Sequence, residues 1–111
     1  MIKLTSQIKN ELYFEPKKSL GQHWLTDRNA LQRIAGAADF TPVDTVIEVG
    51  PGTGLLTQFL VPRARILIAV EIDHALAERL RQRYAETPGV TILEADVLET
   101  PIEEVLNAGG G

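Results

Sequence analysis

The chain has 111 residues, of which 44% are hydrophobic and 23% charged; its formal net charge is −4 and it has no cysteine. That length suits one compact domain, and the balance excludes a disordered chain, binding of nucleic acid by bulk positive charge, and disulfide or thiolate chemistry of any kind. No run is long and apolar enough for a membrane span, none reads as a secretory signal, and His23 and His74 are too far apart for a metal motif, so a soluble cytoplasmic protein without a metal is the default.

Charge is distributed unevenly. Lys3, Lys9, Lys17, Lys18 and Arg28 lie in the first quarter, whereas no Lys or Arg follows Tyr84 and Glu86, Glu94, Asp96, Glu99, Glu103 and Glu104 all do. Residues 1–18 read as a polar arm with a helical turn around Ser6 to Leu12, and residues 19–111 as the domain proper. Ser19 to Leu25 is turn-compatible around one large anchor, Trp24. Thr26 or Asp27 can cap a helix whose apolar face is Ala30, Leu31, Ile34, Ala35 and Ala38, and Phe40-Thr41-Pro42 ends it.

Thr45 to Val49 is a β-branched run bounded by Asp44 and Gly50, which predicts a buried strand. Gly50 to Gly54 is a glycine loop, and Leu55 to Leu60 a helix stopped by Pro62. Arg65 to Val70 predicts a second strand. Asp73 caps a helix with Leu76, Leu80 and Tyr84 on one face. Pro88-Gly89 turns into a third strand, Val90 to Leu93, and Pro101 opens a last helical piece. Apolar strands alternating with helices predict an α/β fold with three parallel strands, flanking helices and right-handed crossovers.

The loop Glu48-Val49-Gly50-Pro51-Gly52-Thr53-Gly54 lies between a strand and a helix. Glycine there allows a tight turn and close approach of a ligand to the backbone. Glu71 ends the second strand roughly 20 residues later, where a carboxylate can accept hydrogen bonds from ribose hydroxyls. A dinucleotide fingerprint needs a third glycine where this chain has Leu55. The glycines at 50, 52 and 54, with Glu48 before them, are instead similar to the first motif of class I methyltransferases, which bind S-adenosylmethionine. A pyrophosphate at a helix N-terminus disfavours a neighbouring carboxylate, whereas an ammonium suits one. Glu48 serves either to order the loop and bound water or simply to bond the loop's own amides. Asp96, closing the third strand, can accept from an adenine amino group, and Ile72 can lie against the adenine face.

Pro16 to Leu25, with its Lys17-Lys18-Ser19-Leu20-Gly21-Gln22-His23-Trp24-Leu25 run, resembles the N-terminal signature of the ribosomal RNA adenine dimethyltransferases. Trp24 replaces the usual Phe. Gly50 to Thr57, Val70 to Asp73 and Glu94 to Leu98 follow the same family's later motifs in order. The resemblance implies the N-terminal portion of a Rossmann-like class I methyltransferase fold, with S-adenosylmethionine held by His23, Leu25, Gly50, Glu71, Ile72 and Asp96. It also implies dimethylation of N6 on two adjacent adenosines of small-subunit ribosomal RNA, with the RNA or a pre-30S particle as partner. Lys17 and Lys18 are then candidates for RNA phosphates.

In that family an Asn-Leu-Pro-Tyr motif accepts the adenine amino hydrogens and stacks on the base. No such motif occurs here, so no catalytic residue is assigned and the chain alone is expected to bind cofactor at most. The implied strand order leaves Thr45 to Val49 as an exposed apolar edge, open to self-association. Three alternatives remain: the related large-subunit ribosomal RNA methyltransferases of macrolide resistance, a nicotinamide-dependent oxidoreductase half-domain, and an interaction module that binds neither cofactor nor RNA.

Overall fold

The computed structural model describes residues 2–4, 12–14, 32, 33, 35, 36 and 44–109. The elements are strands β1 (Ile2–Leu4), β2 (Leu12–Phe14) and β3 (Thr45–Val49), helix α1 (Thr57–Leu60), strand β4 (Ile66–Glu71), helix α2 (His74–Arg83), strand β5 (Val90–Glu94) and helix α3 (Ile102–Ala108). A short 3₁₀ turn at Val97–Glu99 joins β5 to α3. Gln32, Arg33, Ala35 and Gly36 are helical, inside the helix expected from Ala30 to Ala38. The segments Ser19 to Leu25 and Phe40 to Pro42 lie outside the described residues.

The strands form one sheet in the order β2-β1-β3-β4-β5. β3, β4 and β5 are parallel, with Ile47 opposite Ile68 and Ala69 opposite Ile92. The three parallel strands with their helices are those predicted. Their apolar runs are continuous because both faces are covered. On one face Val46 and Leu67 pack with Ala35, Leu56 and Leu60; on the other Ile47, Ile68 and Val70 pack with Val105 of α3. Burying side chains of this size stabilises the fold by about 1.5–3 kcal/mol each.

The N-terminal segment departs from expectation. β1 pairs antiparallel with β3, placing Ile2 opposite Ile47 and Leu4 opposite Thr45, and β2 pairs antiparallel with β1. Thr45 to Ile47 of the edge expected to be exposed are therefore paired with the chain's own β1. Unpaired N–H and C=O groups on an apolar strand recruit whatever strand is at hand, and here an intramolecular one is. Of the helical turn expected around Ser6 to Leu12, only Leu12 is among the described residues, and it begins a strand.

Two helix starts follow local chemistry. Asp73 caps α2 as predicted, its Oδ1 accepting from the Leu76 amide at 3.0 Å. α1 begins at Thr57 rather than Leu55, because Gly54, at φ +90°, still belongs to the loop.

Candidate functional site

The parallel strands direct their carboxyl ends to one side, where a doubly wound sheet places ligands. The glycine loop leaves β3 there. Gly50, Gly52 and Gly54 have φ of +67°, +62° and +90°, a region that side chains resist. Gly54 is needed for a second reason. A Cβ on it would lie 3.0 Å from Leu80 Cδ2 and 3.5 Å from Arg83 Nη1, so its bareness lets α2 approach the loop. The Gly50 amide donates to the Val70 carbonyl at 2.9 Å, tying the loop to β4.

Glu71 is buried at the end of β4, with 5% of its surface exposed. Its Oε1 accepts from the Gly52 amide and its Oε2 from the Asp73 amide, each at 2.9 Å. The carboxylate that the sequence suggested for a ribose thus also holds the loop. Each carboxylate oxygen can accept twice, so acceptor capacity for hydroxyl donors remains. The Glu71 carbonyl accepts from the Ala95 amide at 3.0 Å, which brings the β5 exit beside β4.

Asp96 does not close β5 but lies just beyond it, capping the 3₁₀ turn: its Oδ1 accepts from the Leu98 amide at 3.0 Å. Its other carboxylate oxygen has no hydrogen-bond partner among the described residues. Ile72 and Leu98, each next to this edge in sequence, are 66% and 90% exposed. Of the six predicted cofactor residues, Gly50, Glu71, Ile72 and Asp96 are brought to the same end of the sheet; His23 and Leu25 lie outside the described residues.

Glu48 is fully buried. Its Oε1 accepts from the Thr57 hydroxyl at 2.6 Å. This contact reaches the first residue of α1, beyond the loop. Sequence reasoning missed Thr57; the signal for it was a hydroxyl at the start of a helix that follows a strand containing a carboxyl group.

The outer surface of this end carries His74, Glu78 and Glu94, whose ligand-type atoms lie within 4.8 Å of one another. His74 Nδ1 and Glu94 Oε1 are 2.9 Å apart, Arg81 Nη1 is 3.6 Å from Glu94 Oε1, and Arg81 also contacts Glu78. These carboxylates already have cationic partners. The Glu94 hydrogen bond and charge raise the His74 pKa above its ordinary 6.5.

Comparison with known proteins places this geometry. The family model described as ribosomal RNA adenine dimethylase matches residues 13–108. The chain is 46% identical over 91 residues to ribosomal RNA small subunit methyltransferase A of Picosynechococcus sp., covering 82% of this chain and 33% of that protein. With the protein of the same description from Geobacter metallireducens it shares 44% over 95 residues, 86% of this chain and 34% of the relative. The chain thus spans about a third of the length of these relatives. Among solved structures it resembles a dimethyladenosine transferase from Plasmodium falciparum, with TM-score 0.63 and 32% identity over 71% of this chain and 30% of that one. It also resembles the 23S rRNA methyltransferase ErmE, with TM-score 0.60 and 39% identity over 67% of this chain and 30% of that one.

Proposed function

The chain belongs to the ribosomal RNA adenine dimethylase family and has its Rossmann-like class I methyltransferase fold, and from that premise we propose that it holds S-adenosylmethionine for N6-dimethylation of two adjacent adenosines in small-subunit ribosomal RNA. The observation that carries the reading is Glu71: buried at the strand end, bonded to the glycine loop through its side chain and to the β5 exit through its carbonyl. That arrangement supports a site for a nucleoside rather than a solvated strand end. The small-subunit target is favoured over the large-subunit one because the curated relatives carry that description.

In this reading S-adenosylmethionine supplies an electrophilic methyl group when bound. Glu71 would accept hydrogen bonds from its ribose, the Asp96 oxygen without a partner among the described residues would accept from its adenine amino group, and Ile72 would cover the base. Gly50 lets the backbone come close, and His23 and Leu25 contact the methionine end. Residues 19–111 then form part of the cofactor domain, with residues 1–18 as an arm. The target adenine is turned out of its stack to reach the methyl group. Because the 111 residues contain no Asn-Leu-Pro-Tyr sequence, this segment as a separate polypeptide binds the methyl donor without transferring its methyl group. Its setting is the cytoplasm, its partner the small-subunit RNA or a pre-30S particle. No helix among the described residues is long and apolar enough to cross a membrane. Self-association through β3 requires the N-terminal hairpin to leave first.

Calorimetric titration with S-adenosylmethionine, with the nicotinamide dinucleotide as control, tests the reading. Saturable binding of the methyl donor alone, weakened at least tenfold by Glu71→Ala and by Asp96→Ala, is expected. Binding of the dinucleotide instead overturns it.

A further inference from the structure

A cavity of about 290 Å³ opens between the glycine loop and α2, lined by Gly52, Thr53, Arg79, Leu80 and Arg83. α2 carries three arginines toward its end, and they differ in what they touch. Arg81 is held by Glu78 and Glu94. Arg79 and Arg83 have no acidic partner among the described residues. One turn apart, they project from the same side of the helix.

Arg83 is also positioned. Its guanidinium carbon lies 5.5 Å from the centroid of the Tyr84 ring, and the missing side chain of Gly54 leaves it room beside the loop. Across the cleft the Thr53 hydroxyl has no hydrogen-bond partner among the described residues, and a Cβ on Gly52 would meet nothing within 4 Å, so the loop's crown is open. Two guanidinium forks and a hydroxyl around an open cavity suit a tetrahedral oxyanion, and Leu80 gives the cavity an apolar floor suited to a sugar face.

We propose that this cleft binds a backbone phosphate of the RNA strand that delivers the target adenine, gripped by Arg79 and Arg83 and met by Thr53. The inference rests on the reading of the chain as an RNA methyltransferase and adds to it a contact on the cofactor domain itself. It accounts for a loop that serves two ligands: Gly52 bonds Glu71 through its amide, and Gly52 and Thr53 also line the cleft with Arg79 and Arg83, which have no acidic partner among the described residues. A chain with net charge −4 grips RNA by local cations, not by its bulk charge.

Fluorescence anisotropy of a labelled RNA hairpin with two adjacent loop adenosines tests it, in parallel with calorimetry of S-adenosylmethionine. The double variant R79Q/R83Q should weaken RNA binding about tenfold and flatten the dependence of log K on log salt by roughly 1.4, the slope of two single-strand phosphate contacts, with cofactor affinity unchanged. Arg65→Gln, which alters a cation at the opposite end of β4, should leave RNA binding intact. Equal losses from Arg65→Gln and from R79Q/R83Q overturn the proposal, since diffuse charge then explains both. An unchanged RNA affinity in R79Q/R83Q overturns it too. Failure of the unaltered chain to bind S-adenosylmethionine counts against the cofactor reading, and is separate from both.

Discussion

Thr57→Val is isosteric and removes one hydroxyl. In the native fold that hydroxyl donates to Glu48 Oε1 at 2.6 Å, and neither residue has any exposed surface. Water cannot replace the lost donor, so a buried carboxyl oxygen gives up a short hydrogen bond. The expected cost is about 1–3 kcal/mol, nearer the lower figure because Glu48 keeps other interactions. With roughly 4 °C of melting temperature per kcal/mol for a domain of this size, the midpoint falls by roughly 4–12 °C. Urea denaturation followed by circular dichroism measures the difference, with Thr57→Ser, which keeps the hydroxyl, as control. A Thr57→Val protein within about 0.5 kcal/mol of the parent refutes the argument that this contact joins β3 to α1.

Gly54→Ala adds a Cβ at φ +90° and 3.0 Å from Leu80 Cδ2; it should destabilise by about 1–3 kcal/mol through backbone strain and displaced packing, visible in a thermal melt. Deleting residues 1–14 removes β1 and β2 and uncovers β3, so sedimentation should show concentration-dependent association that the intact chain lacks. His74 is raised above 6.5 by Glu94, so its contribution to stability is complete below pH 6.5 and is lost as pH rises through the raised value. NMR titration of the His74 ring should give a midpoint above 6.5, and Glu94→Gln should lower it.

The parallel half of the sheet was legible because its signals are local. Thr45 to Val49 and the run ending at Glu71 are short, mostly apolar and β-branched, Asp73 is a cap by composition, and three alternate glycines specify a loop. The N-terminal hairpin was not legible, because residues 1–18 are short and polar and their pairing partner, β3, lies far along the chain. Neither was the outer cleft. It depends on α2 coming close to the loop, which Gly54 permits, and on Arg81 being engaged by Glu78 and Glu94 while Arg79 and Arg83 have no acidic partner among the described residues. Asp96 was assigned to the adenine, and the structure gives it a further role that the sequence reading did not assign, since a carboxylate after a strand can cap the next turn.

Glu71 shows why such dual use is physically favoured. A buried carboxylate needs hydrogen bonds whether or not a ligand is present. If its only partners were ribose hydroxyls, the ligand-free chain would bear a desolvated charge with nothing to satisfy it. The amides of Gly52 and Asp73 remove that cost, and in doing so fix the loop and the start of α2 on either side of the carboxylate. Each oxygen keeps acceptor capacity, so a ribose can be added without breaking either bond. On the proposed reading, the site is ordered before the cofactor arrives, which would lower the entropy lost on binding. The same order reaches the outer cleft through Gly52, which lines it. Glu71→Ala should therefore disturb both sides of the loop, whereas Asp96→Ala, one strand away, should affect cofactor binding and leave the RNA contact as it was.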